Sequence, residues 1–549
     1  MYLEIESEHA AQQKNTFEHI LNFLKWGMLS AVAITLMSFL GAHAKLPLVL
    51  KPIFFTVVIS SILYVALTIA FSPVISAIIA SILVLILRVA SAKKMASTGE
   101  PLIIGDISHT NHISLALKYI NFYDIVSVIL ILFIFMFAMY AARRSIFNKG
   151  WRRYVLFIIF VMGFIFNFHQ LILAIAGKVE RFGIPYYSWD WPYNYRSNGL
   201  LVHLVQTGNR PLPGKISNNN RSEFEQLYER AVPAADSPSV FINILCESCW
   251  YDDGLLADEF SPLKKLATAE FRGVSPVFGG GTPNASFEII SGLPSHNPAV
   301  AGIIYQEYRD FFAKRTSTLP SHLKANAFKT ESLHNYLQSF WFRDQVEPKM
   351  GFSVFHGIEQ MLPNESTGYP RDSILYEHAL SRLESAHGQK MFLHLATMYT
   401  HGPYTGDDAD NPLGRYRNKL RVSIADMASF IRSVQRIYPE AVVLIYGDHK
   451  PALPETQPGP SDDRQWIGDV PVLLVDPNKD RASELQSRVN GKPFYCFTTA
   501  IAELYYKMNL PISKYTNSIC ANYVGSNYMQ AAASVPGWLY TAAMFGEER

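Results

Sequence analysis

The 549-residue sequence predicts two architectures in one chain: an α-helical membrane domain of five spans, then an external α/β sandwich. Two observations carry this expectation. Long apolar runs crowd the first 180 residues, and beyond residue 237 short β-rich runs alternate with helical stretches. A third observation limits the function: 48 Lys plus Arg balance 46 Asp plus Glu. A chain built mainly to bind nucleic acid would be strongly basic, so nucleic acid is excluded as the main partner.

The apolar runs are Trp26–Ala42, Pro52–Phe71, Pro73–Ala90, Ile125–Ala142 and Tyr154–Ala176. Each approaches or reaches the roughly 17–25 residues that cross a bilayer. The second and third are parted only at Ser72-Pro73, which predicts a tight hairpin. None has the short apolar core and small-residue cut site of a cleavable signal peptide. Basic residues set the orientation. Arg143, Arg144, Lys149, Arg152 and Arg153 lie between the fourth and fifth runs and place that loop inside the cell. Everything after about Gly177 is then outside. Arg88, Lys93 and Lys94 fall on the predicted outer side, but they are fewer and farther from two spans.

Residues 1–177 are read as the membrane domain, 178–236 as a connector and 237–549 as the external domain. The segment "HISLALKYINFYDIV" is expected along the membrane interface. The connector opens with "GIPYYSWDWPYNYRSNGLL", whose rings suit either the membrane–water boundary or a packed core. "NNNRSEFEQLYERAV" reads as a surface helix and "PAADSPS" as a linker. The strand candidates beyond it are 239–245, 391–398, 441–447 and 470–476, with a helical pattern at 420–438. Their nearly continuous apolar character predicts parallel strands covered on both faces. In such sheets, active residues gather beyond the carboxyl ends of the strands.

Those ends carry chemistry. The first candidate strand runs into Glu247, the second into Tyr399-Thr400-His401 and the third into Asp448-His449. Glu247, Asp448 and His449 are a hard carboxylate-plus-imidazole set suited to one divalent ion such as Mn²⁺, Mg²⁺ or Zn²⁺. Taken singly, each is more often an ordinary loop residue. The stretch "FGGGTPNASFEIISGLPS" adds a further group. Pro283 suits a first helical position, so Thr282 is expected as the N-cap, its hydroxyl at the positive helix end. The plain alternative is a capped helix behind a flexible loop; the sharper one is a nucleophile presented to an anion. Cys246, Cys249, Cys496 and Cys520 all fall in the external part. Their even number permits disulfides in an oxidising compartment, and both a Cys496–Cys520 pair and a Cys246–Cys249 pair stay open. A redox motif or zinc half-site at Cys246-Glu-Ser-Cys249 lacks a second CxxC, which favours a structural role.

The whole pattern resembles the lipoteichoic-acid-synthase-type phosphoglycerol transferases, membrane relatives of the alkaline phosphatase and sulfatase superfamily. "ILCESCW" looks like the segment with the family's metal-binding glutamate, here Glu247. "GGGTPNASFEIISGLPS" resembles the nucleophile segment, here Thr282, and "YGDHKP" the metal-binding pair, here Asp448 and His449. "HNYLQSFWFRD" matches the spacing of the headgroup pocket and implies His334, Trp341 and Arg343. "TMYTHGPY" is similar to the segment with a pocket histidine, here His401. One departure is Tyr336, where the family has an acidic residue two positions after the pocket histidine.

The resemblance implies an α/β sandwich of the alkaline phosphatase/sulfatase type and a two-step transfer. Thr282, metal-bound with Glu247, Asp448 and His449 and preferring Mn²⁺, attacks phosphatidylglycerol. Diacylglycerol stays in the bilayer, and the phosphoglycerol passes through a phospho-threonine to an acceptor. His401 and Arg343 stabilise the phosphoryl oxygens, with His334 and Trp341 lining the pocket. The external cysteines point to a multi-pass protein of a Gram-negative inner membrane with a periplasmic catalytic domain, and hence to an envelope or periplasmic glycan acceptor. A sulfatase would need Cys or Ser in C/S-x-P-x-R, where this chain has Thr-Pro-Asn-Ala-Ser. Phosphoethanolamine transferases usually carry a further histidine after the Asp-His pair, and none follows His449. Transfer from phosphatidylethanolamine is the alternative, and a non-catalytic membrane scaffold the more distant one.

Overall fold

The computed structural model describes residues 2–40, 46–98, 100–108, 151–187, 190–209, 214–252, 254–362, 369–386, 388–404, 411–456, 468–525 and 527–546. They form two compact units, residues 1–96 with 100–210 and residues 97–99 with 211–549.

In the first unit, α1 is Tyr2–Phe39, α2 Leu46–Thr68 and α3 Pro73–Thr98. Their segments Gln12–Phe39, Leu50–Thr68 and Pro73–Met95 are long and apolar enough to cross a membrane. The expected hairpin between the second and third runs is present, turning at residues 69–72. Five spans are not what the described residues hold. The fourth predicted run and the "HISLALKYINFYDIV" segment lie outside them, and the fifth run is broken. Val155–Phe166 and Gln170–Arg181 meet at 72°, so the count is three spans, or four if this bent pair is one. At the break the side-chain amide of Asn167 donates to the Gly163 carbonyl at 2.8 Å, alongside the backbone N–H of the same residue.

The helix Trp191–Thr207 starts at Asp190, whose side chain accepts from the Tyr193 N–H. Trp191 and Tyr195 are buried, so these connector rings pack as core. Around a kink at Gly199 (φ 75°), Asn198 donates to the Asn194, Gln206 and Pro185 oxygens at 2.8–2.9 Å. Buried amides satisfied in this way fix one arrangement of the chain.

The second unit is built on an eight-stranded sheet: β1 Val240–Cys246, β2 Ala269–Val274, β3 Lys329–His334, β4 Val354–His356, β5 Met391–Ala396, β6 Val442–Gly447, β7 Asp469–Val475 and β8 Lys492–Pro493. Its order is β4-β3-β5-β1-β6-β7-β2-β8. The strands from β4 to β6 in that order are mutually parallel. β7, expected to be parallel, runs antiparallel to both β6 and β2. Its apolar run reports burial on both faces and carries no information on direction. β2 and β3 escaped the search for apolar runs. β2 alternates buried and exposed residues. β3 buries Glu331, which Arg382 holds with two bonds of 2.6 and 2.7 Å.

Helices Thr282–Ser291, Asp372–Ser385, Pro412–Ile437 and Tyr495–Tyr506 contribute apolar side chains to one continuous core with the sheet. The expected surface helix is present at Asn218–Arg230, with only Phe224 buried. Both cysteine pairs are disulfides, Cys246–Cys249 and Cys496–Cys520. The second spans 24 residues in sequence. Replacing both of its cysteines by serine should cost about 3 kcal/mol through the freer unfolded chain. Denaturant unfolding of the two proteins measures the difference.

Candidate active site

The three central strands bring the site together. β5, β1 and β6 lie side by side, with Leu245 opposite Ala396 and Cys246 opposite Gly447. The residues that follow, Glu247 and Asp448, therefore emerge at adjacent carboxyl ends. Gly447 is needed there because a Cβ would sit 2.0 Å from the Cys249 carbonyl oxygen. The Glu247 N–H donates to Thr397 Oγ1 at 2.9 Å, and its carbonyl accepts from the Thr400 hydroxyl. Ser248 takes φ 52°, a costly conformation for a non-glycine residue. In that conformation its N–H donates to Asp448 Oδ1 at 2.6 Å.

Glu247, Asp448 and His449 offer ligand atoms that all lie within 4.8 Å of one another. They are 2%, 0% and 1% exposed. The donors around them are already used. Asp448 Oδ1 accepts from the Ser248 and His449 N–H groups, and Glu247 Oε1 accepts from Ser248 Oγ at 2.8 Å. His449 Nδ1 donates to the Lys450 carbonyl at 2.9 Å, which leaves Nε2 as a lone pair. That Nε2 lies 3.3 Å from Asp448 Oδ2 and 3.5 Å from Glu247 Oε1. Neither Nε2 nor Oδ2 has a hydrogen-bond partner. Buried acceptors that face one another without a donor are unfavourable, and a divalent cation is what such a set fits. Burial and the charge of Glu247 push the Asp448 carboxyl well above the usual range. Burial also raises Glu247, but His401, His449 and the Ser248 and Thr282 hydroxyls outweigh it and hold that carboxyl low. Burial lowers His449, against the pull of Glu247, which keeps the imidazole neutral and able to coordinate.

Thr282 joins this set, though not as the expected N-cap. Gly281 is the cap at φ 78°, and Thr282 is the first helical residue, with no capping bond from a side chain. Its hydroxyl donates instead to Glu247 Oε2 at 3.1 Å. The threonine is thus aimed into the carboxylate cluster while the helix N-terminus stays behind it.

A second group of residues stands next to this cluster. His401 acts electrostatically on Glu247, and its Nδ1 donates to the Gly402 carbonyl at 2.6 Å, leaving Nε2 as the exchangeable atom. Burial lowers the imidazole, with Glu247 opposing. Aromatic neighbours run from there to His334: His401 to Tyr369 at 5.0 Å, Tyr369 to Tyr336 at 5.7 Å and Tyr336 to His334 at 6.3 Å between ring centroids. His334 Nδ1 donates to the Ala396 carbonyl at 2.9 Å. Burial and Arg343 push this imidazole down to about 3. Trp341 and Phe342 both take φ 56°, so the loop carrying them is strained. The Trp341 ring lies tilted against Phe340, with centroids 5.4 Å apart. Arg343 is fully buried and donates from Nη1 to Glu347 Oε1 at 2.7 Å, while its Nε has no partner. A partner four residues away already balances its charge, so it differs from an open phosphate clamp.

Several residues of the site lack a sequence signal. Asp372 is the clearest. It accepts from Asn335 Nδ2 at 3.0 Å, from the Met398 and Tyr399 N–H groups at 3.3 and 3.2 Å, and from Ser423 Oγ at 2.6 Å. One carboxylate thus ties together the segments after β3 and β5 and the Pro412–Ile437 helix. Asp372→Ala should leave those donors unmatched, at a cost of about 3 kcal/mol. Thermal unfolding of the purified chain measures this, and an unchanged midpoint would contradict the assignment.

The sulfatase family model matches residues 239–502. A Rhizobium meliloti protein named for cyclic beta-1,2-glucan modification is 22% identical over 292 residues, 48% of this chain and 44% of its own length. Lipoteichoic acid synthase 1 of Bacillus subtilis is 24% identical over 148 residues, 24% of this chain and 23% of its own length. The chain therefore spans less than half the length of these curated relatives. Among solved structures, the integral membrane lipooligosaccharide phosphoethanolamine transferase A of Neisseria meningitidis gives a TM-score of 0.47 at 12% identity. That match covers 87% of this chain and 95% of the other.

Proposed function

We propose that this chain, whose residues 239–502 match the sulfatase family model, transfers phosphoglycerol from phosphatidylglycerol to an envelope glycan. The observation that carries the reading is the Thr282 hydroxyl, held on Glu247 Oε2 inside a buried set of groups suited to a metal. The relative that synthesises lipoteichoic acid supports the phosphoglycerol reading. The relative named for cyclic glucan modification supports a glycan acceptor. Three apolar helices suit an enzyme whose donor stays in the lipid surface. The setting is the inner membrane of a Gram-negative bacterium, with the catalytic domain in the periplasm.

Glu247, Asp448, His449 and Thr282 would hold the cation, a divalent ion such as Mn²⁺, Mg²⁺ or Zn²⁺. When bound, it supplies Lewis acidity that eases ionisation of the threonine hydroxyl. In the first step, Thr282 Oγ1 bonds to phosphorus as the bond from phosphorus to the diacylglycerol oxygen breaks. The threonine proton passes to His401 Nε2 and from there to the departing oxygen, and diacylglycerol remains in the bilayer. The helix N-terminus behind Thr282 faces the phosphoryl oxygens, while Arg343 stays paired with Glu347. His334 and Trp341 line the headgroup pocket. In the second step, an acceptor hydroxyl attacks phosphorus as the bond from phosphorus to Thr282 Oγ1 breaks, and the acceptor's proton passes through His401 Nε2 to the released Thr282 oxygen. The test is release of labelled diacylglycerol by the full chain in vesicles of phosphatidylglycerol or phosphatidylethanolamine. Release from phosphatidylglycerol is expected. Release from neither lipid would leave a scaffold.

A further inference from the structure

Lys419 projects from the Pro412–Ile437 helix into a ring of tyrosines. Its ammonium lies 5.3 Å from the Tyr369 ring, 5.9 Å from Tyr399 and 6.0 Å from Tyr404. It also donates to the His401 carbonyl oxygen at 3.0 Å, which fixes it against the residue expected to touch the headgroup. The Tyr369 ring is shared: one neighbour is Lys419, another is the His401 imidazole at 5.0 Å and a third is Tyr336 at 5.7 Å.

Converging aromatic faces of this kind are how proteins recognise an ammonium group, because the ring quadrupole attracts a cation within about 6 Å. In this chain the protein's own ammonium already occupies that box. A headgroup entering beside His401 meets a fixed positive charge and rings whose attraction is already engaged. An ethanolamine headgroup carries an ammonium and is repelled, more so in a partly buried site where screening is weak. A glycerol headgroup is an uncharged diol and meets no such repulsion.

We propose that Lys419 is a specificity-determining residue that excludes cationic headgroups from the pocket beside His401 and so admits phosphoglycerol. The inference rests on the headgroup-transfer reading above. Its test is a competition between phosphatidylglycerol and phosphatidylethanolamine in mixed vesicles, with the full chain and its Lys419→Met, Lys419→Glu and Lys419→Arg variants. The measured quantity is the ratio of the two headgroups released. Lys419→Met is expected to shift the ratio toward ethanolamine by about tenfold, the change expected from one lost like-charge contact. Lys419→Glu should shift it further, and Lys419→Arg should hold the wild-type ratio. A general loss of structure lowers both rates and does not move their ratio. Wild-type protein gives an independent check. Glycerophosphoglycerol should inhibit cleavage of phosphatidylglycerol at concentrations about tenfold lower than glycerophosphoethanolamine. Equal inhibition by the two, or an unchanged ratio in variants that still cleave phosphatidylglycerol, overturns the role of Lys419 and leaves the transfer reading standing. A wild-type chain that cleaves neither lipid overturns both.

Discussion

Thr282→Ala should abolish headgroup release while the domain stays folded. The structure separates the two effects. The Thr282 hydroxyl makes its hydrogen bond to Glu247 Oε2 and takes no part in capping its helix. Removing it therefore costs about 2 kcal/mol, the usual net worth of a hydrogen bond to a charged group. Removing a nucleophile commonly costs about 10⁴-fold or more in rate. Thr282→Ser keeps an oxygen in the cluster and should retain measurable release. Thermal unfolding and a lipid-release assay on the same preparations distinguish chemistry from stability. A folded Thr282→Ala protein with undiminished release would reduce this stretch to an ordinary helix start.

Asp448→Asn should remove the bound metal, and with it the sensitivity of the protein to chelators. In the wild type, Asp448 Oδ2 and His449 Nε2 face each other without a donor between them. A cation binding there stabilises the native state by mass action, by about 2.7 kcal/mol at a hundredfold excess over its dissociation constant. A chelator should therefore lower the unfolding temperature of the wild type. The amide removes one charge and supplies a donor toward the lone pair. The variant should bind about no metal, unfold at the same temperature with or without chelator, and lose nearly all release. Elemental analysis and paired melting curves give the answer. One metal ion per chain in the variant would contradict the ligand assignment.

The Glu247, Asp448 and His449 cluster was legible in the sequence as residues at the ends of apolar strand candidates, though only the fold shows that they converge. Once three apolar runs are read as neighbouring parallel strands, Glu247, His401 and Asp448-His449 fall at one edge of the sheet. The supporting residues had no such signal. Asp372 opens a helix whose other residues look like any amphipathic surface helix. Its four hydrogen-bond donors come from sequence positions 335, 398, 399 and 423. Lys419 reads as a solvated charge until Tyr369, Tyr399 and Tyr404 surround it. Local pattern also misjudged two backbone features. Thr282 sits one position inside its helix, with Gly281 at φ 78° in the cap position and the threonine hydroxyl spent on Glu247 instead. The fifth apolar run bends by 72° between Phe166 and Gln170, which hydropathy does not register.

The central claim is a covalent phospho-threonine, and peptide mass spectrometry tests it most directly. The full chain is incubated with phosphatidylglycerol vesicles in the presence of Mn²⁺ and without any glycan acceptor, then quenched in acid and digested. The account predicts a glycerophosphoryl increment on the peptide containing Thr282, lost when an acceptor is restored. Diacylglycerol release with an unmodified Thr282 peptide, or with the increment on another residue, would contradict it.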